Sequence, residues 1–138
     1  GKRALVVAGG WDGHQPRETA DIFAAVLEGD GYEVRRSDTL DAWLDGAGLA
    51  ATDLVVPIFT MSTITPEQEA GILRAVEAGT GVAGWHGGMC DAFRNNPNWQ
   101  FMTGGQWVAH PGNVIDYDVR ITRRDHPITE GLADFRMH

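Results

Sequence analysis

The chain is 138 residues long, with 11 Lys and Arg against 19 Asp and Glu and a formal net charge of −8. That length suits one domain burying roughly two-thirds of the surface its unfolded chain exposes, and the acidic balance, with no long basic stretch, argues against tracking a nucleic-acid backbone. The apolar runs are too short to span a bilayer, the single cysteine, Cys90, leaves no internal disulfide, and the absence of a leader pattern makes a cytoplasmic protein the expectation.

Residues 2–8 predict a first strand, and residues 9–14, Gly-Gly-Trp-Asp-Gly-His, a loop above it. Pro16 to Thr19 lead into a helix whose apolar positions Ile22, Phe23, Val26 and Leu27 recur at helical spacing, ending at Gly29 or Gly31. Residues 32–36 alternate as a second strand, residues 38–50 suit a short helix or surface connection, and residues 53–59 read as a third strand with Pro57 near its end. Thr65 as cap and Pro66 in the first turn predict a helix with Ile72, Leu73 and Val76 inward. A fourth strand is expected over residues 81–85, a helix start over Met89 to Arg94, a turn over Asn95 to Asn98, and a later strand over residues 114–120. Strands separated by helices predict an α/β domain with a mostly parallel sheet covered on both faces.

The strongest functional signal is the run Gly84-Trp85-His86-Gly87-Gly88. A strand ending in a glycine-flanked turn exposes one side chain above the carboxyl edge of a sheet, as in a nucleophile elbow, and here that side chain is His86, a base or metal ligand. The plainer account of His86 is a hydrogen-bonded residue within a tight turn. Neither Gly9-Gly10 nor Gly87-Gly88 forms the ordered dinucleotide fingerprint, so no nucleotide is expected.

The segments Gly9 to His14, Leu54-Val55-Val56, Gly84 to Gly88, Gly104 to Pro111 and His126 to Leu132 together resemble the ThuA-like domain of the trehalose-utilisation family, within the superfamily related to class I glutamine amidotransferases. The resemblance extends over nearly all 138 residues. It implies a flavodoxin-like three-layer α/β domain, a single unit over residues 1–138, and a role in carbohydrate catabolism. It further implies a C-terminal continuation, with an acidic and tyrosine-containing segment, beyond His138. Where the amidotransferase relatives carry cysteine this chain has His86, and Cys90 lies one helical turn later, so glutamine hydrolysis is not expected and Cys90 reads as a packing thiol.

In such a fold the loop carrying His14 faces the turn carrying His86, and His110 can enter from a later loop. Three imidazoles so placed could bind zinc or a similar divalent ion; the plainer accounts are loop hydrogen bonding for His14 and a turn held by Pro111 for His110. Asp12 is read as a hydroxyl acceptor, an orienting carboxylate or an Asx-turn. Trp11, Trp85 and Trp107 offer flat surfaces for pyranose C–H groups, with core packing as the alternative for each. His126, before Pro127, reads as a backbone-positioning residue.

The expected function is an enzyme acting on a glucose-derived disaccharide or modified, keto glycoside through His86, with His14 or His110 polarising a hydroxyl or carbonyl directly or through metal. Isomerase, lyase and hydrolase chemistries all fit, whereas a standard glycosidase needs an acidic pair that the sequence does not place. A noncatalytic carbohydrate-binding or regulatory domain is the principal alternative, and an assembly domain completed by another segment a third. The expected partner is a small carbohydrate rather than nucleic acid or membrane, and a homo-oligomer is compatible with this reading.

Overall fold

A computed structural model describes residues 1–138, which form two compact units, Gly1–Trp107 and Val108–His138. In the first unit β1 (Arg3–Gly10), β2 (Glu33–Ser37), β3 (Leu54–Thr60) and β4 (Gly81–Val82) make one wholly parallel sheet in the order β2-β1-β3-β4. Residue alternation along β1 and β3 sends Leu5, Val7, Val55 and Phe59 to one face, and Val6, Ala8, Val56 and Ile58 to the other. Both faces are therefore apolar and both are covered, which gives the three-layer, flavodoxin-like arrangement expected of such strands.

Helix α1 (Pro16–Gly29) covers the second face through Ala20 and Leu27. Its larger residues Ile22 and Val26 point away, 61% and 52% exposed, while Ala20 and Ala24 are buried. Ala20 and Ala24, with Leu27 beside them, thus form the contact face of α1.

The first face carries α3 (Pro66–Glu77), α2 (Gly46–Ala50), a 3-10 segment at Leu40–Leu44 and α4 (Pro97–Thr103). Thr65 caps α3 as expected, and with Gln68 it closes a capping box: its hydroxyl accepts from the Gln68 N–H at 3.1 Å, and the Gln68 side chain accepts from the Thr65 N–H at 3.0 Å. Ile72 and Ala75 are buried, and the stacked Trp43 and Trp99 rings, 5.4 Å apart, fill the space beside them. No helix is long and apolar enough to cross a membrane.

Two expectations within the first unit fail, each for a definable reason. The fourth strand stops at Val82 rather than Trp85. Val55 accepts from the Ala83 N–H at 3.1 Å, so the backbone of Val55, and two residues on that of Pro57, faces β4. Pro57 has no N–H to donate at the next rung, and the β3–β4 ladder ends there. The second failure is the helix expected from Met89, where the chain makes turns. The helix instead begins at Pro97, with the Asn96 side chain accepting from the Trp99 N–H at 2.8 Å. Asn-Pro, read as a turn, is here an N-cap followed by proline at the first helical position.

In the second unit β5 (Tyr117–Val119) pairs antiparallel with β6 (Phe135–Met137). The strand expected over residues 114–120 is thus reduced to three residues, and its partner β6 is additional.

Glu69 ties α3 to the start of α4. Its carboxylate accepts from the Asn96 side chain and, at 2.6 Å, from Asn98, and these bonds hold its pKa below the ordinary 4.5. A depressed folded-state value contributes stability that is present above the unfolded value and is lost as pH falls through the folded one. Wild-type unfolding free energy should therefore drop between about pH 5 and pH 3 more steeply than that of Glu69→Gln. Denaturant midpoints across that range check it; parallel pH profiles would refute the assignment.

Candidate functional site

Because β3 lies between β1 and β4, the end of β3 separates the loops that follow its neighbours. The loop after β1 turns through a 3-10 segment, Asp12–His14, and is held down where the Trp11 N–H donates to the Thr60 carbonyl at 3.2 Å. Across β3, the turn after β4 carries His86. The His14 and His86 rings meet edge-on, with centroids 5.4 Å apart at 70°. Two of the three expected imidazoles are thereby brought together at the carboxyl edge of a parallel sheet, the usual position for ligands in this architecture.

Aromatic rings flank the pair. Trp11 meets His14 at 4.8 Å and 73°, and Trp107 meets His86 at 4.8 Å and 65°, both edge-on. Trp11 is half-exposed and Trp107 half-buried, so each has apolar surface beside an imidazole. Trp85 is placed differently: it packs on Phe23 of α1 at 4.2 Å and joins the apolar cluster on that side of the sheet. Asp12 begins the 3-10 segment and is exposed. His110 belongs to the second unit, where its carbonyl accepts from the Asn113 N–H at 3.3 Å.

Three further residues complete the arrangement. The Asp91 carboxylate, 2% exposed, lies 3.5 Å from His86 Nε2 through Oδ2, while Oδ1 accepts from Arg94 Nε. That bond holds the Arg94 guanidinium above its ordinary pKa. A buried carboxylate needs such partners, because removing its charge from water costs several kcal/mol otherwise. The third is Thr60, 2% exposed, whose hydroxyl lies 2.9 Å from His14 Nδ1 and donates to the Gly87 carbonyl.

The backbone around these groups is closely fixed. Met61 and Ser62 donate to the carbonyls of Asp91 and Ala92, each at 3.0 Å, which fastens the end of β3 to the segment carrying the buried carboxylate. Gln15 and Met61, both at φ 50, are the non-glycine residues of this unit in the left-handed region. Each follows directly on a member of the His14–Thr60 pair. Holding an L-residue there costs about 1–2 kcal/mol, and such strain persists where surrounding bonds over-determine the backbone.

Cys90 is half-buried and stands beside Gly105, where an added Cβ would lie 2.9 Å from its Sγ, while its carbonyl accepts from the Trp107 N–H at 3.0 Å. A cavity of about 650 Å³ lined by Trp43, Leu49, Ala70 and Arg74, among others, contains none of the groups described.

Thr60 and Asp91 escape a reading of the sequence for different reasons. Thr60 stands one position beyond the third strand as read, yet a polar residue ending a central parallel strand is a usable signal. Asp91 lies in the segment read as a helix start, so its proximity to His86 emerges only from the turns that replace that helix.

A family model described as ThuA, trehalose utilisation, matches residues 3–138. Among solved structures, a ThuA-like protein from Bacteroides uniformis ATCC 8492 superposes with a TM-score of 0.74 at 18% sequence identity, covering 98% of this chain and 57% of that one. The chain therefore spans little more than half the length of that protein, and at this identity the likeness shows the fold. No curated protein matches the chain.

Proposed function

Because the chain belongs to the ThuA family of trehalose utilisation and so has a carbohydrate-related role, we propose that it is a cytosolic enzyme acting on a glucose-derived disaccharide or its keto derivative by histidine acid/base chemistry. The observation that carries this reading is the meeting of His14 and His86, delivered from two different strand ends, with His86 backed by the buried Asp91 carboxylate. Base, orienting carboxylate and a second imidazole are the parts a proton transfer needs. His86 moves the proton, Asp91 orients its ring, His14 contacts a polar group of the sugar, and Trp11 and Trp107 supply apolar surface for the ring C–H groups. Asp12 is a further candidate for sugar contact, and Trp85 contributes through its packing on Phe23.

Metal-assisted chemistry requires a third ligand. No group of three His, Cys, Asp or Glu side chains stands together to hold a metal ion, and the proposed proton transfer is assigned to the imidazoles themselves.

The test is direct: protein containing this chain is incubated with glucose-type disaccharides and their keto derivatives, metal-depleted and metal-replenished, and products and binding are followed. Turnover that survives metal depletion supports the proposal. Turnover restored only by a divalent ion would move His14 and His86 to ligand roles. Specific sugar binding without product across the series would favour a recognition domain.

A further inference from the structure

We propose that Thr60 is a positioning residue that fixes the tautomer of His14, so that Nδ1 carries the ring proton and Nε2 presents a lone pair to a hydroxyl of the substrate. The argument is a count of protons. A threonine hydroxyl has one, and that of Thr60 goes to the Gly87 carbonyl, which can only accept. Toward His14 Nδ1, 2.9 Å away, Thr60 therefore has only lone pairs to offer, and Nδ1 must be the donor. In a neutral imidazole the other nitrogen is then an acceptor.

The surroundings hold this geometry in place. Thr60 is buried, its carbonyl anchors Trp11, and the residues after both partners, Gln15 and Met61, sit in the left-handed region. Gly87 lies close: a Cβ there would stand 3.0 Å from His14 Nδ1 and 3.3 Å from Thr60 Oγ1. At His86 the Asp91 carboxylate, which can only accept, lies 3.5 Å from Nε2, so the two rings meet their polar partners through different nitrogens.

The chemical consequence rests on the proposed acid/base function and narrows it. His14 with an unprotonated Nε2 accepts from a sugar hydroxyl and does not donate to a carbonyl. A keto derivative should therefore bind with a hydroxyl, and not its carbonyl, against His14.

Nitrogen-15 spectroscopy of the histidine rings at about pH 8.5, where an ordinary histidine of pKa ~6.5 is neutral, reads the tautomer without reference to activity. Wild-type protein and Thr60→Ser should both show a protonated Nδ1 and an unprotonated Nε2 at His14, while Thr60→Val should lose that preference. Where turnover is found, Thr60→Val should lower kcat roughly 10- to 100-fold, the scale known for partners that fix ring tautomers at metal sites, and Thr60→Ser should restore most of it. A protonated Nε2 at His14 in the wild-type protein overturns the proposal, and so does an unchanged Nδ1–H in folded Thr60→Val. The wild-type spectrum decides even if Thr60→Val fails to fold. A correct tautomer in a protein without turnover would count against the enzymatic reading and leave the role of Thr60 standing.

Discussion

His86→Ala is expected to lower turnover by about 10²–10⁴-fold, the range contributed by a positioned acid/base group, while changing unfolding free energy by less than about 1 kcal/mol. The separation follows from where the ring sits. Its side chain is 42% exposed, so truncation leaves no sealed cavity, and Asp91 keeps its bond to Arg94 when the imidazole is gone. A histidine that merely completed a turn would lose stability and activity together. Asp91→Asn should act in the same direction on turnover and more weakly, because a polar group still faces His86 while the negative charge is lost. Product formation and denaturant unfolding measured on the same preparations check both. Full turnover by folded His86→Ala protein would remove the residue from the chemistry.

Gly88→Ala should cost about 4 kcal/mol or prevent folding altogether. A Cβ at that position would fall 1.7 Å from the Pro57 carbonyl oxygen and 2.5 Å from its carbon. The atoms it meets are backbone of β3, which pairs with β1 on one side and β4 on the other and has no room to yield. Gly29→Ala is the matched control: nothing lies within 4 Å of its added Cβ, and the residue ends a helix, so it should be neutral or stabilising by up to about 1 kcal/mol. Unfolding midpoints for the pair give the comparison, and a fold that tolerates Gly88→Ala as easily as Gly29→Ala would show that the turn can move away from β3.

Much of this architecture is legible in the residues, because β1, β3 and α3 each carry a strong local signal. The apolar run of Leu5 to Ala8, and the Thr65-Pro66 start of α3, would hold in many contexts. The end of β4 is different in kind: what stops it is the missing N–H of Pro57 on a neighbouring strand, more than twenty residues earlier. The site divides in the same way. His14 and His86 stand out because glycines surround them at strand ends, but the contact of Asp91 with His86 depends on how the turns at residues 86–92 run. Trp85 and Trp107 look alike in the sequence, each beside a histidine or glycine-rich segment. Only the pleat and the following turn send the first toward Phe23 and leave the second beside His86.

Pro57 also governs how the sheet meets other chains. By ending the ladder after Val82 it leaves β4 two residues long, too short to template a foreign strand, and at the opposite edge β2 carries Glu33, Arg35 and Arg36, charges that an intruding strand would have to desolvate. One imino acid thus releases the chain toward His86 and shortens the border along which amyloid-like addition would begin. Scanning Pro57→Ala for fibril seeding would expose how much of that protection the single missing N–H provides.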